Sequence, residues 1–201
     1  NILEKFITLE PKNNRAFLRT RVNVRGSLGV IYSELGNEKK AEELALEAVN
    51  LVDPTDSRFR ESYIFSMNDY YLAMIKGGKK KEAIEGYKEL ISLAKKYYGE
   101  TNLISITLLN NLAYSYGLEG QGDKALDIYL KGENLATRFL GEKRTLANIQ
   151  MNIADLYFYK TKLHKSKEYS LKALKNKDVM LPKGKILLYS RLSSNESLLG
   201  N

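Results

Sequence analysis

Leu28-Gly29-Val30-Ile31-Tyr32 recurs in this chain as Leu112-Ala113-Tyr114-Ser115-Tyr116, and again as Ile153-Ala154-Asp155-Leu156-Tyr157. Twelve residues beyond each central small residue comes another, giving the pairs Gly29/Ala41, Ala113/Ala125 and Ala154/Ser166. Between the members of each pair lies a turn-type stretch: Gly36-Asn37, Gly120-Gln121-Gly122-Asp123 and Thr161-Lys162. A weaker copy runs from Tyr70 to Ala83 with Gly77-Gly78 as its turn. Gly36, Gly78 and Gly120 stand 42 residues apart, and Thr161 follows 41 later, so the chain is an array of one repeated unit.

Each unit reads as two helices. Apolar residues fall at helical spacing, as in Leu44, Leu46, Ala48, Val49 and Leu51, or Leu126, Ile128, Tyr129 and Leu135. Glycine at the turn supplies the left-handed backbone that ends a helix. Asn37 and Asp123 are expected to cap the helices that follow, and Thr101 to cap a later one. Asp53-Pro54, Gly99 and Gly141 read as stop signals between units, and Pro182 suits the first turn of the last helix. The small residues let two antiparallel helices approach closely at Gly29/Ala41 and Ala113/Ala125. Tyr32, Tyr116 and Tyr157 then fill the space one turn on. A lone helical hairpin cannot bury its apolar faces, so neighbours stack into a solenoid. The expected fold is all-α, a right-handed α-α superhelix of antiparallel helix pairs.

Composition narrows the chemistry. The 201 residues include no cysteine, which excludes disulfides, thiolate metal sites and cysteine nucleophiles. The one histidine, His164, leaves no partner for a histidine-rich metal site; it is expected to be exposed in a turn among lysines. No apolar run is long enough for a membrane span. No cofactor is expected. The net charge of +8 is concentrated in residues 157–185, where Lys160, Lys162, Lys165, Lys167, Lys172, Lys175, Lys177, Lys183 and Lys185 face only Glu168 and Asp178. Such a patch suits a nucleic acid, an acidic lipid surface or an acidic partner, but it equally suits a solvated face. Aromatic–arginine stacking pairs and a nucleic-acid motif are missing, which favours the solvated face.

The Leu-Gly-x-x-Tyr block, followed by Ala83 with Tyr87 and Ala125 with Tyr129, resembles the tetratricopeptide repeat family. Pro54 and Pro11 take the family's unit-end proline, so residues 1–11 resemble the tail of a preceding unit. The long unit and Leu109-Asn110-Asn111-Leu112-Ala113 resemble the kinesin light chain subgroup and related bacterial repeat proteins. Two positions depart from the pattern. Tyr71 stands where a small residue is expected, so the second unit must pack differently, and Ser170 replaces an aromatic. The expected boundaries are 1–21 (end of a preceding repeat and a lead-in helix), repeats at 22–63, 64–105, 106–146 and 147–185, and 186–201 as the first helix of a truncated repeat, all in one solenoid domain.

The resemblance implies that the first helix of each unit lines a concave groove that binds a peptide or protein segment. Three rows map onto that face: Ser27, Asp69, Asn111, Asn152 and Arg191; Asn23, Phe65, Thr107, Asn148 and Leu187; and Val30, Leu72, Tyr114, Asp155 and Ser194. Asn68, Asn110, Phe158 and Tyr159 lie nearby on the same helices. Asparagine offers both a carbonyl and an amide, so Asn111 and Asn152 can pair with an extended peptide backbone in register. Phe65, Leu72 and Tyr114 add apolar contact. The other reading of these asparagines is that they bond to neighbouring helices or water. Positions that hold lysine or arginine in chaperone-type carboxylate clamps are Asn23, Phe65, Thr107 and Asn148 here, which argues against capture of an acidic chain terminus, though Arg191 can pair with one carboxylate.

The functional expectation is a non-enzymatic scaffold that binds a protein or peptide, in the cytoplasm. The alternatives are a sensory peptide-binding region of a bacterial transcriptional regulator or histidine kinase in signal transduction, and a basic surface for nucleic acid or acidic lipid. Gly77-Gly78-Lys79-Lys80-Lys81 lacks the spacing of a phosphate loop and a preceding strand, and reads as a helix–helix turn. The chain opens on Asn1 and stops at Gly200-Asn201 before a second helix of the last unit, which predicts a region taken from a larger protein. The unpaired last helix is expected to expose Leu187, Leu188, Leu192 and Leu198 and to favour a homo-oligomer through that end.

Overall fold

A computed structural model describes residues 2–9, 17–138 and 143–200. Pro11, Gly141 and Asn201, each given a role above, lie outside the described residues. The described residues form ten α-helices: α1 (Ile2–Leu9), α2 (Leu18–Glu34), α3 (Glu38–Asn50), α4 (Arg60–Lys76), α5 (Lys80–Tyr98), α6 (Leu103–Leu118), α7 (Gly122–Arg138), α8 (Lys143–Tyr159), α9 (Leu163–Leu174) and α10 (Pro182–Leu199). A 3-10 turn, Lys177–Val179, precedes α10, and the described residues contain no strand. The fold is an all-α solenoid of antiparallel helix pairs. Contacts divide it into two compact units, Asn1–Leu93 and Ala94–Asn201.

The turns inside the pairs are built alike. Gly36, Gly78 and Gly120 take φ of 76°, 90° and 78°, and Thr161 takes 56°. In each case the next residue donates its N–H to the carbonyl five residues back: Asn37 to Tyr32 (2.8 Å), Lys79 to Met74 (2.8 Å), Gln121 to Tyr116 (2.9 Å) and Lys162 to Tyr157 (2.9 Å). This bond satisfies a carbonyl that the helix end leaves orphaned. Gly200 repeats the same backbone at φ 79°.

Two caps differ from expectation. Asn37 Oδ1 accepts from the Lys40 N–H at 3.1 Å, as expected. Before α6 the cap is Asn102, whose Oδ1 accepts from the Ser105 N–H at 2.9 Å, and not Thr101. The longer asparagine side chain also donates to Ser105 Oγ at 3.0 Å, which secures it there. Asp123 lies inside the first turn of α7, which starts at Gly122, and pairs with Lys160 Nζ instead of capping. His164 is exposed, but in the first turn of α9 and not in the preceding turn.

In the first unit α3 packs against α2 and α4, and α1 lies on α2. Val22, Ala48 and Val52 form a buried cluster under Leu18, Leu51, Phe59 and Tyr63. A Cβ on Gly29 would stand 3.5 Å from the Ala41 carbonyl oxygen, so this crossing is as close as the small residues imply. Tyr71 is accommodated by Gly86: a Cβ there would fall 2.3 Å from Tyr71 Cζ. The large and small residues have exchanged helices.

In the second unit each helix from α6 to α10 packs on the next. The Ala125 methyl faces Gly117, at 3.9 Å from a Cβ placed there. Ala147, Ala173, Met180 and Leu188 form a buried cluster covered by Met151, Leu174 and Leu192. Leu188 is thus core, 1% exposed, and Leu192 packs on the same cluster. The apolar side chains that α10 presents to solvent are Ile186, Leu187, Tyr189 and Leu198, because the helix turns residues 188, 192 and 195 inward together. At Ser170 the missing aromatic is supplied one residue earlier: Tyr169 packs on Tyr157 with ring centroids 5.6 Å apart.

Candidate functional site

Each unit carries a cavity on the face made by its first helices. In the first unit, α2 contributes Arg19, Val22, Asn23, Gly26, Ser27 and Val30. The start of α4 and the residues before it contribute Arg58, Glu61, Ser62, Phe65, Ser66 and Asp69 around about 630 Å³. Phe65 is 40% exposed and forms an apolar wall. Arg58 is held at one end by Asp56, with Nη2 to Oδ2 at 2.7 Å.

Asp69 closes the other end. Its Oδ1 accepts from Asn68 Nδ2 at 3.3 Å. Asn68 is buried, and the Tyr87 hydroxyl donates to its backbone oxygen (3.1 Å) and to its Oδ1 (3.3 Å). Asn68 therefore serves the interior instead of facing a ligand, which corrects its placement on the binding face. Burial pushes the Asp69 carboxyl up to about 6, only partly opposed by the Asn68 hydrogen bond.

In the second unit, Tyr114, Gly117 and Leu118 of α6, Tyr129 of α7, and Asn152, Asp155, Leu156 and Tyr159 of α8 enclose about 300 Å³. Asn152 Nδ2 donates to Asn110 Oδ1 at 2.9 Å, tying α8 to α6. Asn110 Nδ2 in turn donates to Asn111 Oδ1 at 3.3 Å. The three asparagines form a row of amides on this face. One N–H of Asn152 is used, and its Oδ1 and second N–H remain uncommitted at the cavity wall. Tyr129 is buried and Tyr114 half so, and burial raises both phenols. Asn148, one turn before Asn152, is exposed and outside this cavity.

Arg191 is already engaged. Its Nε donates to Asp155 Oδ1 at 2.6 Å, and its guanidinium lies over the Phe158 ring at 3.8 Å and the Tyr159 ring at 5.6 Å. The carboxylate it can pair with is thus one from its own chain, and Asp155 is likewise occupied.

Several lysines of the basic stretch also have partners: Lys160 pairs with Asp123, Lys167 with Glu196 at 2.7 Å, and Lys172 with Glu168 at 2.8 Å. Lys165 and Lys172 stand over Tyr157 and Tyr169 at 5.3 and 4.0 Å. Among the described residues no group of three or more His, Cys, Asp or Glu is placed to hold a metal ion. None of the described helices is long and apolar enough to cross a membrane.

The sequence reading put Asp69, Phe65, Tyr114, Asn152 and Asp155 on one groove face; in the structure Asp69 and Phe65 line the cavity of the first unit, and Tyr114, Asn152 and Asp155 that of the second. It missed Gly26, which leaves Asp69 uncovered, and Tyr129, which the repeat pattern marks only as a core aromatic. A glycine next to the predicted face residue Ser27 was the available signal for the first.

Paired helices joined by left-handed turns at a fixed pitch, with cavities on their first helices, define an α-helical repeat protein of the solenoid class. The tetratricopeptide repeat family model matches residues 22–51 and 147–178. The crystal structure of BtubC (BKLC) from P. vanneervenii is similar with a TM-score of 0.72 and 16% identity, covering 99% of this chain and 79% of that one. The crystal structure of Podosopora anserina kinesin light chain nearly identical TPR-like repeats gives a TM-score of 0.66 at 16% identity, covering 90% of this chain and 87% of that one. No curated protein matches the sequence. Two segments of the chain thus match the tetratricopeptide repeat model, and in fold the chain is similar to these TPR-like repeat structures.

Proposed function

We propose that this chain is a non-enzymatic scaffold whose first-helix faces bind an extended protein or peptide segment. The observation that carries this reading is the row Asn110–Asn111–Asn152 beside the cavity of Tyr114, Tyr129 and Tyr159. The cross-helix bonds hold the amides in place, so the row meets a peptide backbone without first losing rotamer freedom. The tyrosines offer apolar area for a side chain beside it. The helical-repeat fold and the tetratricopeptide matches support a protein-binding role. A bacterial regulator or kinase is the setting that the resemblance suggests for such a module.

The test starts with peptides selected on the immobilised protein from a random display library. Asn111→Ala with Asn152→Ala should weaken the best of them about tenfold or more, since each lost hydrogen bond is worth about 0.5–1.5 kcal/mol. Unchanged affinity in a variant with unchanged helicity would overturn the reading.

A further inference from the structure

We propose that the cavity of the first unit is a subsite for a cationic side chain, lysine or arginine, of the bound segment, with Asp69 as its counter-charge. This rests on the peptide-binding reading above and names what one part of the face selects.

Asp69 lies at the end of a cavity of about 630 Å³, wide enough for a long side chain. A Cβ on Gly26 would stand 3.4 Å from Asp69 Oδ2, so glycine at 26 leaves that oxygen uncovered on the α2 side. The opposite oxygen is held by Asn68, which Tyr87 holds in turn. The relay aims the carboxylate without neutralising it, because an amide brings no charge. Arg58 and Arg19 line the same cavity, but on the side away from Asp69. Gly26, the α2 residue beside Asp69, lies seven positions after Arg19, roughly 10 Å along the helix axis, and Arg58 is bound to Asp56. Glu61 lines the same cavity and stands one repeat unit of 42 residues after Arg19.

A desolvated carboxylate destabilises the protein that carries it unless a cation arrives. Burial of Asp69 is felt as its upward shift, and a lysine or arginine entering from the face would reverse it. The apolar Phe65 wall accommodates the methylene stem of either side chain. The acidic residue is therefore poised for a ligand charge, whereas the carboxylate of the second unit, Asp155, is already satisfied by Arg191.

The experiment uses the full chain and four peptides, acetyl-Ala-Ala-Xaa-Ala-Ala-amide with Xaa arginine, lysine, glutamine or glutamate. Amide chemical shifts of Gly26, Ser27, Ser66 and Asp69 report the first cavity, and those of Tyr114, Asn152 and Tyr159 report the second. The expected result is binding of the arginine and lysine peptides at the first cavity at least tenfold tighter than the glutamine peptide. Asp69→Asn should bring all of them to the glutamine level. The Asp69 carboxyl, followed by carbon-13 shift, should titrate lower in the presence of the arginine peptide. Equal perturbation by arginine, glutamine and glutamate, or an Asp69→Asn variant that binds as before, overturns the subsite. Response confined to the second cavity overturns the subsite alone and leaves the peptide-binding reading standing. Silence at both cavities overturns both.

Discussion

The ring of Tyr71 occupies the volume that a side chain at position 86 would need: a Cβ on Gly86 would lie 2.3 Å from Tyr71 Cζ and 2.6 Å from its hydroxyl. Tyr71 also packs against Tyr70 and Tyr87, with centroids at 5.7 and 5.2 Å, so the ring is flanked on both sides. Burial pushes its phenol up to about 12. This pair replaces the small-against-small crossing of the other units.

Gly86→Ala should therefore destabilise the protein. In an unobstructed helix the same change stabilises by up to about 1 kcal/mol, whereas forcing a methyl into packed space costs about 1–3 kcal/mol. Adding Tyr71→Ala makes room for the methyl. In chemical denaturation the Gly86→Ala cost should shrink or reverse in the Tyr71→Ala background. An equal cost in both backgrounds would mean that the ring is not what excludes the side chain.

Asp69 sets a pH dependence with a definite sign. Its folded value, near 6, lies above the ordinary carboxylate value of 3.8. The folded state therefore holds the proton more tightly than the unfolded one, and ionisation disfavours folding. This contribution is absent below about pH 4, grows as pH rises to about 6, and then levels off. Asp69→Asn removes it. The variant should be more stable than the parent at pH 7.5 by about 1–3 kcal/mol, and the difference should close on acidification to pH 4. Asp53, Glu100 and Asp123 shift the opposite way through their hydrogen bonds, and they cancel in the comparison of parent with variant. A constant difference across this range would show that Asp69 ionises as freely as an exposed residue.

Thr161 is the one non-glycine among the described residues with positive φ, at 56°. Its β-branch makes that backbone cost about 1–2 kcal/mol, partly compensated by its hydroxyl donating to the Lys160 carbonyl at 2.7 Å. Thr161→Gly should raise stability by about 0.5–1 kcal/mol, or roughly 1–4 °C in Tm for a chain of this length. Thr161→Ala keeps a Cβ and loses the hydroxyl bond, so it should give no gain. A lower Tm for the glycine variant would show that the threonine bond outweighs the backbone cost.

Asn195 is fully buried on α10, with Nδ2 donating to Ser166 Oγ of α9 at 3.0 Å and Oδ1 without a protein partner. Ser166→Ala leaves the whole amide unsatisfied and should cost about 1–3 kcal/mol. Hydrogen exchange of the α10 amides should accelerate by the corresponding factor. Protection equal to that of the parent would show that α10 is held by Leu188 and its neighbours alone.

Much of the architecture was legible because its requirements are local. A helix end that turns back through a left-handed residue asks for glycine, so Gly36, Gly78 and Gly120 announced the turns, and the register carried the same backbone to Thr161. Close helix crossings ask for small residues, so Gly29, Ala41 and Ala125 announced the pairs. The candidate sites were legible as faces, since helical periodicity places Asp69, Asn111 and Asn152 on one side of their helices.

What a side chain on that face does was decided by its three-dimensional neighbours. Asn68 and Asn110 occupy the same position one unit apart. Tyr87 reaches Asn68 and draws it into the interior, whereas Asn110 accepts from Asn152 and stays in the row that lines the surface. Gly86 opposite Tyr71, Arg191 on Asp155 and Gly26 beside Asp69 likewise join residues distant in the chain. Periodicity fixes the direction of a side chain about its own helix axis. It carries no information on the volume or charge that the facing helix brings to the same point, and that is set only when the helices pack.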